Sequence, residues 1–156
     1  MRNRSHVPLT LFWILVVNLA LSAQNPPCSN AEKYDMGGGF CVEMKPLVVS
    51  RLAGRAARQD PEGHVWPDEK PRGCLSLFTA DSHKFVASTT VDQDGRFDFG
   101  PIPPGRYRLV ARLPGFPTGN NAVTVVRSVW PRHRRIVVLF TCCGIDVCSS
   151  AVYDRK

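Results

Sequence analysis

The sequence predicts an all-β chain: seven short antiparallel strands folded as a two-layered sandwich. Three observations lead there. Apolar and polar residues alternate with period two over short runs, most plainly from Arg106 to Leu113. The runs are separated by turn pairs at close spacing, Asp94-Gly95, Pro104-Gly105 and Pro114-Gly115. Beyond the first two dozen residues no segment has a helical period.

The start reads as a leader rather than as part of the fold. Arg2 and Arg4 precede an apolar run from Leu9 to Leu21, closed by Ser22 and Ala23, the layout of a secretory signal with a small-residue cleavage site. The run is shorter than the ~20 apolar residues a span needs and carries Asn18, so no stable membrane span is expected after cleavage. The expected organisation is a signal peptide over 1–23, an irregular N-terminal segment over 24–46, the sandwich over 47–141 and a Cys-rich tail over 142–156. The expected location is secreted or periplasmic.

Removing two arginines with the leader lowers the formal charge from +7 to +5. A modest positive balance favours anionic surfaces, envelope polymers among them. No nucleic-acid partner is expected, because an exported chain rarely meets one and no basic stripe is interleaved with exposed aromatics. Six cysteines, Cys28, Cys41, Cys74, Cys142, Cys143 and Cys148, form an even set, which in an exported chain points to disulfides. Adjacent Cα atoms lie closer than a bridge normally allows, so Cys142 and Cys143 should take different partners. The simplest arrangement staples the N-terminal segment to the C-terminal tail. Zinc at "TCCGIDVC" is disfavoured, since no second pair of that spacing and no nearby histidine complete a site.

The elements follow in order. Gly37-Gly38-Gly39 lacks the Lys-Ser or Lys-Thr of a phosphate loop, so residues 24–45 read as irregular. Leu47 to Arg58 reads as a first strand and Gln59 to Arg72, with three prolines, as a long loop. Gly73 to Thr79 and Lys84 to Val91 read as strands. At Asp94-Gly95 glycine takes the positive φ of a hairpin turn, and Phe97 and Phe99 then face inward together. Tyr107, Leu109, Ala111 and Leu113 form an apolar face opposite Arg106, Arg108 and Arg112. Ala122 to Arg127 and Arg135 to Thr141 complete the set. The 95 residues from Leu47 to Thr141 come close to the roughly 100 of an immunoglobulin-like sandwich.

The stretch "TTVDQDGRFDFGPIPPGRYRLVARLPGF" resembles the carboxypeptidase regulatory-like domain of the prealbumin-like, or carbohydrate-binding-like, sandwich class. The residues that carry the likeness are Thr90, Asp92, Gly95 and Phe97, then Pro104-Gly105, Tyr107 and Leu109, then Pro114-Gly115-Phe116. "LAGRAARQDPEG" and "GCLSLF" resemble that family's first two strands more loosely. The resemblance implies an accessory, non-catalytic module, here standing alone. The long loop at 59–72 and the cysteine-bearing ends depart from the typical pattern.

No catalytic residue, cofactor or metal is expected. Asp92, Asp94 and Asp98 lack the further ligands of a calcium loop. His64, His83 and His133 are scattered, and no nucleophile elbow or His-Glu-x-x-His motif occurs. Related sandwich enzymes use a C-terminal Tyr-Arg-Gly-Ser, where this chain has Tyr153-Asp154-Arg155-Lys156, or an iron site of two tyrosines and two histidines, whereas Tyr107 belongs to the core face. The candidate ligand surface is basic and aromatic: Arg106, Arg108 and Arg112 on one strand face, Arg96 expected on the neighbouring hairpin strand, and Trp66 and Trp130 near loops, where sugar rings could stack. Arg127, Arg132, Arg134 and Arg135 form a second basic cluster. Expected partners are an envelope glycan or a surface protein. Intact-mass measurement of protein recovered from the envelope fraction should give a chain beginning near Gln24, after cleavage at Ala23 or at Ser22; a mass that includes the whole leader would sink the export reading.

Overall fold

The computed structural model describes residues 28, 30–35, 40–66, 68–127, 135–141 and 149–154. Expectations for the signal segment, for Cys142, Cys143, Cys148, Trp130, Arg132, His133 and Arg134, and for the side chain of Cys41 lie outside them. Among the described residues no helix is long and apolar enough to cross a membrane.

Among the described residues ten strands form two five-stranded sheets. They are β1 (Phe40–Val49), β2 (Ala53–Gln59), β3 (Val65–Trp66), β4 (Cys74–Thr79), β5 (Phe85–Thr90), β6 (Arg96–Asp98), β7 (Gly105–Arg112), β8 (Thr118–Val125), β9 (Ile136–Thr141) and β10 (Ser150–Tyr153). The first sheet runs β1-β8-β7-β4-β5; the second runs β10-β9-β2-β3, with β6 also paired to β2. The chain is thus all-β and two-layered, but the expectation of seven antiparallel strands is corrected on two counts. Three strands are additional or divided, and β1–β8 and β2–β9 pair in parallel, so both sheets are mixed.

The differences have local causes. Leu47 to Arg58 is not one strand. Val49 ends β1 in the first sheet and Ala53 opens β2 in the second, with Leu52 fully buried between them. Residues 40–43, expected to be irregular, pair with the start of β8, and the register shifts between Glu43 and Leu47. The loop after Gln59 holds β3, because Asp60 closes a turn: its carboxylate accepts the His64 backbone N–H at 2.7 Å and lies 3.0 Å from the imidazole Nδ1. Burial pushes the Asp60 carboxyl up, but these contacts with the Glu62 N–H outweigh it and hold the group below its ordinary value. Strand β8 begins at Thr118 and not at Ala122, although Gly119-Asn120-Asn121 carries turn residues. There the Asn121 side chain accepts the Ala151 N–H at 2.8 Å, and tertiary pairing overrides the turn signal.

The core lies between the sheets. Leu75 and Leu77 of β4, Tyr107, Leu109 and Ala111 of β7, and Val123 and Val125 of β8 face Ala56 of β2, Phe97 of β6 and Ile136, Val138 and Phe140 of β9. Phe99 and Leu113 pack at its rim, partly buried. Each fully buried leucine contributes roughly 1.5–3 kcal/mol relative to exposure. Tyr107 is accommodated because its hydroxyl donates to the Pro103 carbonyl at 2.7 Å.

The sheets leave no room at some backbone crossings. A Cβ on Gly54 would lie 1.9 Å from the Ile136 carbonyl oxygen, so β2 and β9 can pair only if that position is glycine. Gly54→Ala should therefore destabilise the fold by ~3 kcal/mol or more. Urea unfolding with an unchanged midpoint would contradict the β2–β9 register.

Candidate functional site

The expected arginine face does not exist as one surface. Arg106, Arg108 and Arg112 lie on β7 of the first sheet, whereas Arg96 lies on β6, which pairs with β2 in the second. The cause is the segment after Asp98: Pro101, Pro103 and Pro104 lack the N–H of a ladder, so the chain crosses between sheets instead of forming a β6–β7 hairpin. Trp66, half-exposed at 51%, sits on β3 opposite Arg58, away from both arginine groups. Arg58 pairs with Glu69 at 2.8 Å and lies over the Phe116 ring at 5.6 Å, an end cap to the sandwich.

On the first sheet, residues 28 and 30–35 cover part of the outer face. Cys28 is bonded to Cys74 of β4. The partner of Cys28 is thus an internal strand, and the expected staple to the C-terminal tail through Cys142, Cys143 or Cys148 lies outside the described residues. Tyr34 stacks on His83 with ring centroids 3.9 Å apart, meets Phe78 edge-on, and accepts a hydrogen bond from the Asn120 side chain at 2.7 Å. Arg112 donates to the carbonyls of Lys33 and Asp35 at 2.7 and 2.6 Å. Burial pushes its pKa below the ordinary value, with Asp35 opposing. Beneath this strap Cys74, Ser76, Phe78, Val110 and Asn120 are buried, so β4 is covered on both faces rather than alternating. Arg112 is thus a structural anchor, and Arg106 is engaged at the exposed end with Asp81 at 2.9 Å.

The second sheet presents an open cleft of about 930 Å³ on the outer face of β2. Ala53, Arg55 and Ala57 line its floor; Lys70 and the turn into β6 lie on one side, Arg135 and Asp154 on the other, and Thr89 and Thr90 of the first sheet join the lining. The turn at Asp94-Gly95, expected to close a hairpin, instead carries the chain from β5 in the first sheet to β6 in the second. Asp92 builds it, its Oδ1 accepting the N–H groups of Asp94 and Arg96, both at 2.8 Å. Gly95 at the tip has φ +75°, and a Cβ there would lie 3.1 Å from the Lys70 side chain packed on it. Asp98 pairs with Arg51 and accepts the Gly100 N–H at 2.8 Å. The Arg51 guanidinium and that N–H hold the Asp98 carboxyl below its ordinary value, and the contribution of the pair is present above the usual carboxylate range and lost as pH falls through the lowered value. Asp154 meets Arg55 at 3.2 Å. Among the described residues no group of three or more His, Cys, Asp and Glu side chains could hold a metal ion.

Of the described candidate ligand residues, only Arg96 lines this cleft, and Arg135 of the second basic cluster joins it. Lys70, Thr89 and Thr90 were not legible as site residues, because they reach it from a loop and from the other sheet.

Residues 76–130, from β4 past the end of β8 and roughly a third of the chain, match the carboxypeptidase regulatory-like domain. This is the family that the Thr90-to-Phe116 pattern resembles, and the match is consistent with the two-sheet sandwich. Comparison with curated proteins found no match. Among solved structures, a 3-chlorocatechol 1,2-dioxygenase from Rhodococcus opacus 1CP aligns at 12% identity over 78% of this chain and 70% of that chain, with a TM-score of 0.31. A likeness at that level carries no argument about this protein.

The strap is held by one covalent link closing a 46-residue separation. Reducing Cys28–Cys74 should lower unfolding stability by about 2–4 kcal/mol. It should also raise amide exchange in β4 before the rest of the core. Uniform exchange across both sheets after reduction would contradict a locally held strap.

Proposed function

We propose that this protein is an exported, non-catalytic binding module whose ligand is cell-envelope carbohydrate. The observation that carries the reading is the β2 cleft. Among the described residues the side chains of Lys70, Arg96 and Arg135 make no ion pair or hydrogen bond, yet they line one open concavity on a paired sheet face. Its volume falls within the ~300–1,000 Å³ of small-ligand sites. Guanidinium and ammonium donors alternate there with carboxylate and hydroxyl acceptors, the mixture that sugar hydroxyls satisfy in both directions.

The carboxylates suit binding better than acid–base chemistry. Asp92 is occupied by the turn it holds, and Asp98 is kept ionised by Arg51, which makes it a poor proton donor. Export is supported by the signal-like first 23 residues and is compatible with the Cys28–Cys74 bridge.

A second reading is a structural or adhesion module docking on envelope proteins. It is favoured by the exposed apolar side chains of Val65 and Trp66 on a two-residue edge strand. Cosedimentation separates the two. The protein should be retained by purified cell-wall polysaccharide stripped of protein. Retention only on untreated envelope would favour the docking reading, and a protein left in the supernatant with both would sink the binding reading.

A further inference from the structure

We infer that the β2 cleft is a site for a carboxylated oligosaccharide, bridged between Arg96 and Arg135 across Arg55. The inference rests on the binding-module reading and adds the chemistry and size of the ligand.

Sheet register fixes the arrangement. Arg96 lies directly opposite Arg55 on the β6 side of β2, and Arg55 lies opposite Val137 on the β9 side. Arg135 precedes Val137 by two residues, so alternation places it on the same face as Arg55 and Arg96. Two strand spacings and one two-residue step put the backbones of Arg96 and Arg135 about 12 Å apart on the diagonal. With both side chains extended from the sheet, each guanidinium is free to take a carboxylate of its own. A single acid group cannot serve both as a bidentate partner. A chain of sugars with carboxylates along it can engage both.

Charge decides the sign of the ligand. Arg51 is committed to Asp98 and Arg55 to Asp154. Lys70, Arg96 and Arg135 then face Asp92 and Asp94, and one Asp92 oxygen already serves two backbone N–H groups. The surplus is positive. Arginine is also the side chain whose planar fork matches a carboxylate with two parallel hydrogen bonds. Polarity decides the rest of the ligand. Thr89, Thr90 and Asp94 add acceptors to the lining, and a simple aromatic or fatty acid would cover these polar groups without pairing them. A polyhydroxylated ring pairs them. The floor at Ala53 and Ala57 is low enough for a ring edge to approach β2.

The test is calorimetric titration of the full-length disulfide-bonded protein with tetragalacturonate, with the monomer galacturonate, and with cellotetraose as the neutral counterpart. Tetragalacturonate should bind, the monomer should bind at least about tenfold more weakly, and cellotetraose should not bind. Loss of one charged hydrogen-bonding group in Arg96→Gln or Arg135→Gln should each weaken binding by about tenfold at unchanged thermal stability. Lys84→Gln, which removes the same charge from the far hairpin of the first sheet, should leave binding unaltered. Equal binding of tetragalacturonate and cellotetraose, both lost in Arg96→Gln, would overturn the carboxylate assignment while leaving the binding-module reading in place. Tetragalacturonate binding untouched by either arginine variant would overturn the site. No binding of any of the three, by protein that wall polysaccharide still retains, would overturn the ligand class alone.

Discussion

The passage of the chain from one sheet to the other at Ser50–Leu52 is the constraint on which the remaining architecture depends. Within three residues the chain leaves β1, at the edge of the first sheet, and enters β2, at the centre of the second. Leu52 plugs the corner, fully buried, and its carbonyl accepts the Phe99 N–H at 3.1 Å. Val49 on the other side accepts the Val126 N–H at 2.9 Å. The two strands that the crossing joins are the two that pair in parallel, β1 with β8 and β2 with β9. The place of β6 also follows, since β2 offers it the edge that β3 leaves uncovered. Arg51, carried on the crossing itself, reaches Asp98 and ties the corner to β6.

The outer faces of the two sheets are treated differently, and that difference locates the site. The first sheet has apolar residues on its outer face, Phe78 and Val110 among them, and the chain covers them with its own residues 28 and 30–35. Such surface left in water would forfeit burial worth roughly 25 cal/mol per Å². A disulfide, an aromatic stack and two carbonyls on Arg112 hold the cover in place. On the second sheet the outer face near β6 bears arginines and aspartates, which need no cover. The open cleft is what remains.

The tight crossings explain why small residues occupy apparently ordinary strand positions. Gly54 meets the Ile136 carbonyl and Gly119 meets the Ser149 carbonyl, which a Cβ would approach to 2.3 Å. Tyr153 closes the remaining edge: its hydroxyl accepts the Val48 N–H at 2.7 Å, so the last strand caps the first. The sandwich therefore takes in residues at both ends of the chain that composition alone would assign to linkers.

The sequence by itself determined the class of fold, much of the core and the turns at Asp94-Gly95 and Pro114-Gly115. Alternation at Tyr107, Leu109 and Ala111 names the buried face of β7, and Gly95 names a positive-φ turn, because both signals are local: side-chain period and backbone φ are set by neighbouring residues. The expected Asp94-Gly95 hairpin is instead a turn between sheets, and Gly105, expected in a turn at Pro104-Gly105, opens β7 without a positive φ. Only the tertiary structure decided which strands are neighbours. Arg96 and Arg106 are ten positions apart and look like partners, yet three prolines send them to opposite sheets. Asn120 and Asn121 look like a turn and are buried in β8, because their amides find Tyr34 and Ala151 from distant segments. The cleft was illegible for the same reason. Lys70, Thr89, Arg96 and Arg135 come from four separate segments, and pairing energy between strands distant in sequence, which no local pattern records, is what brings them together.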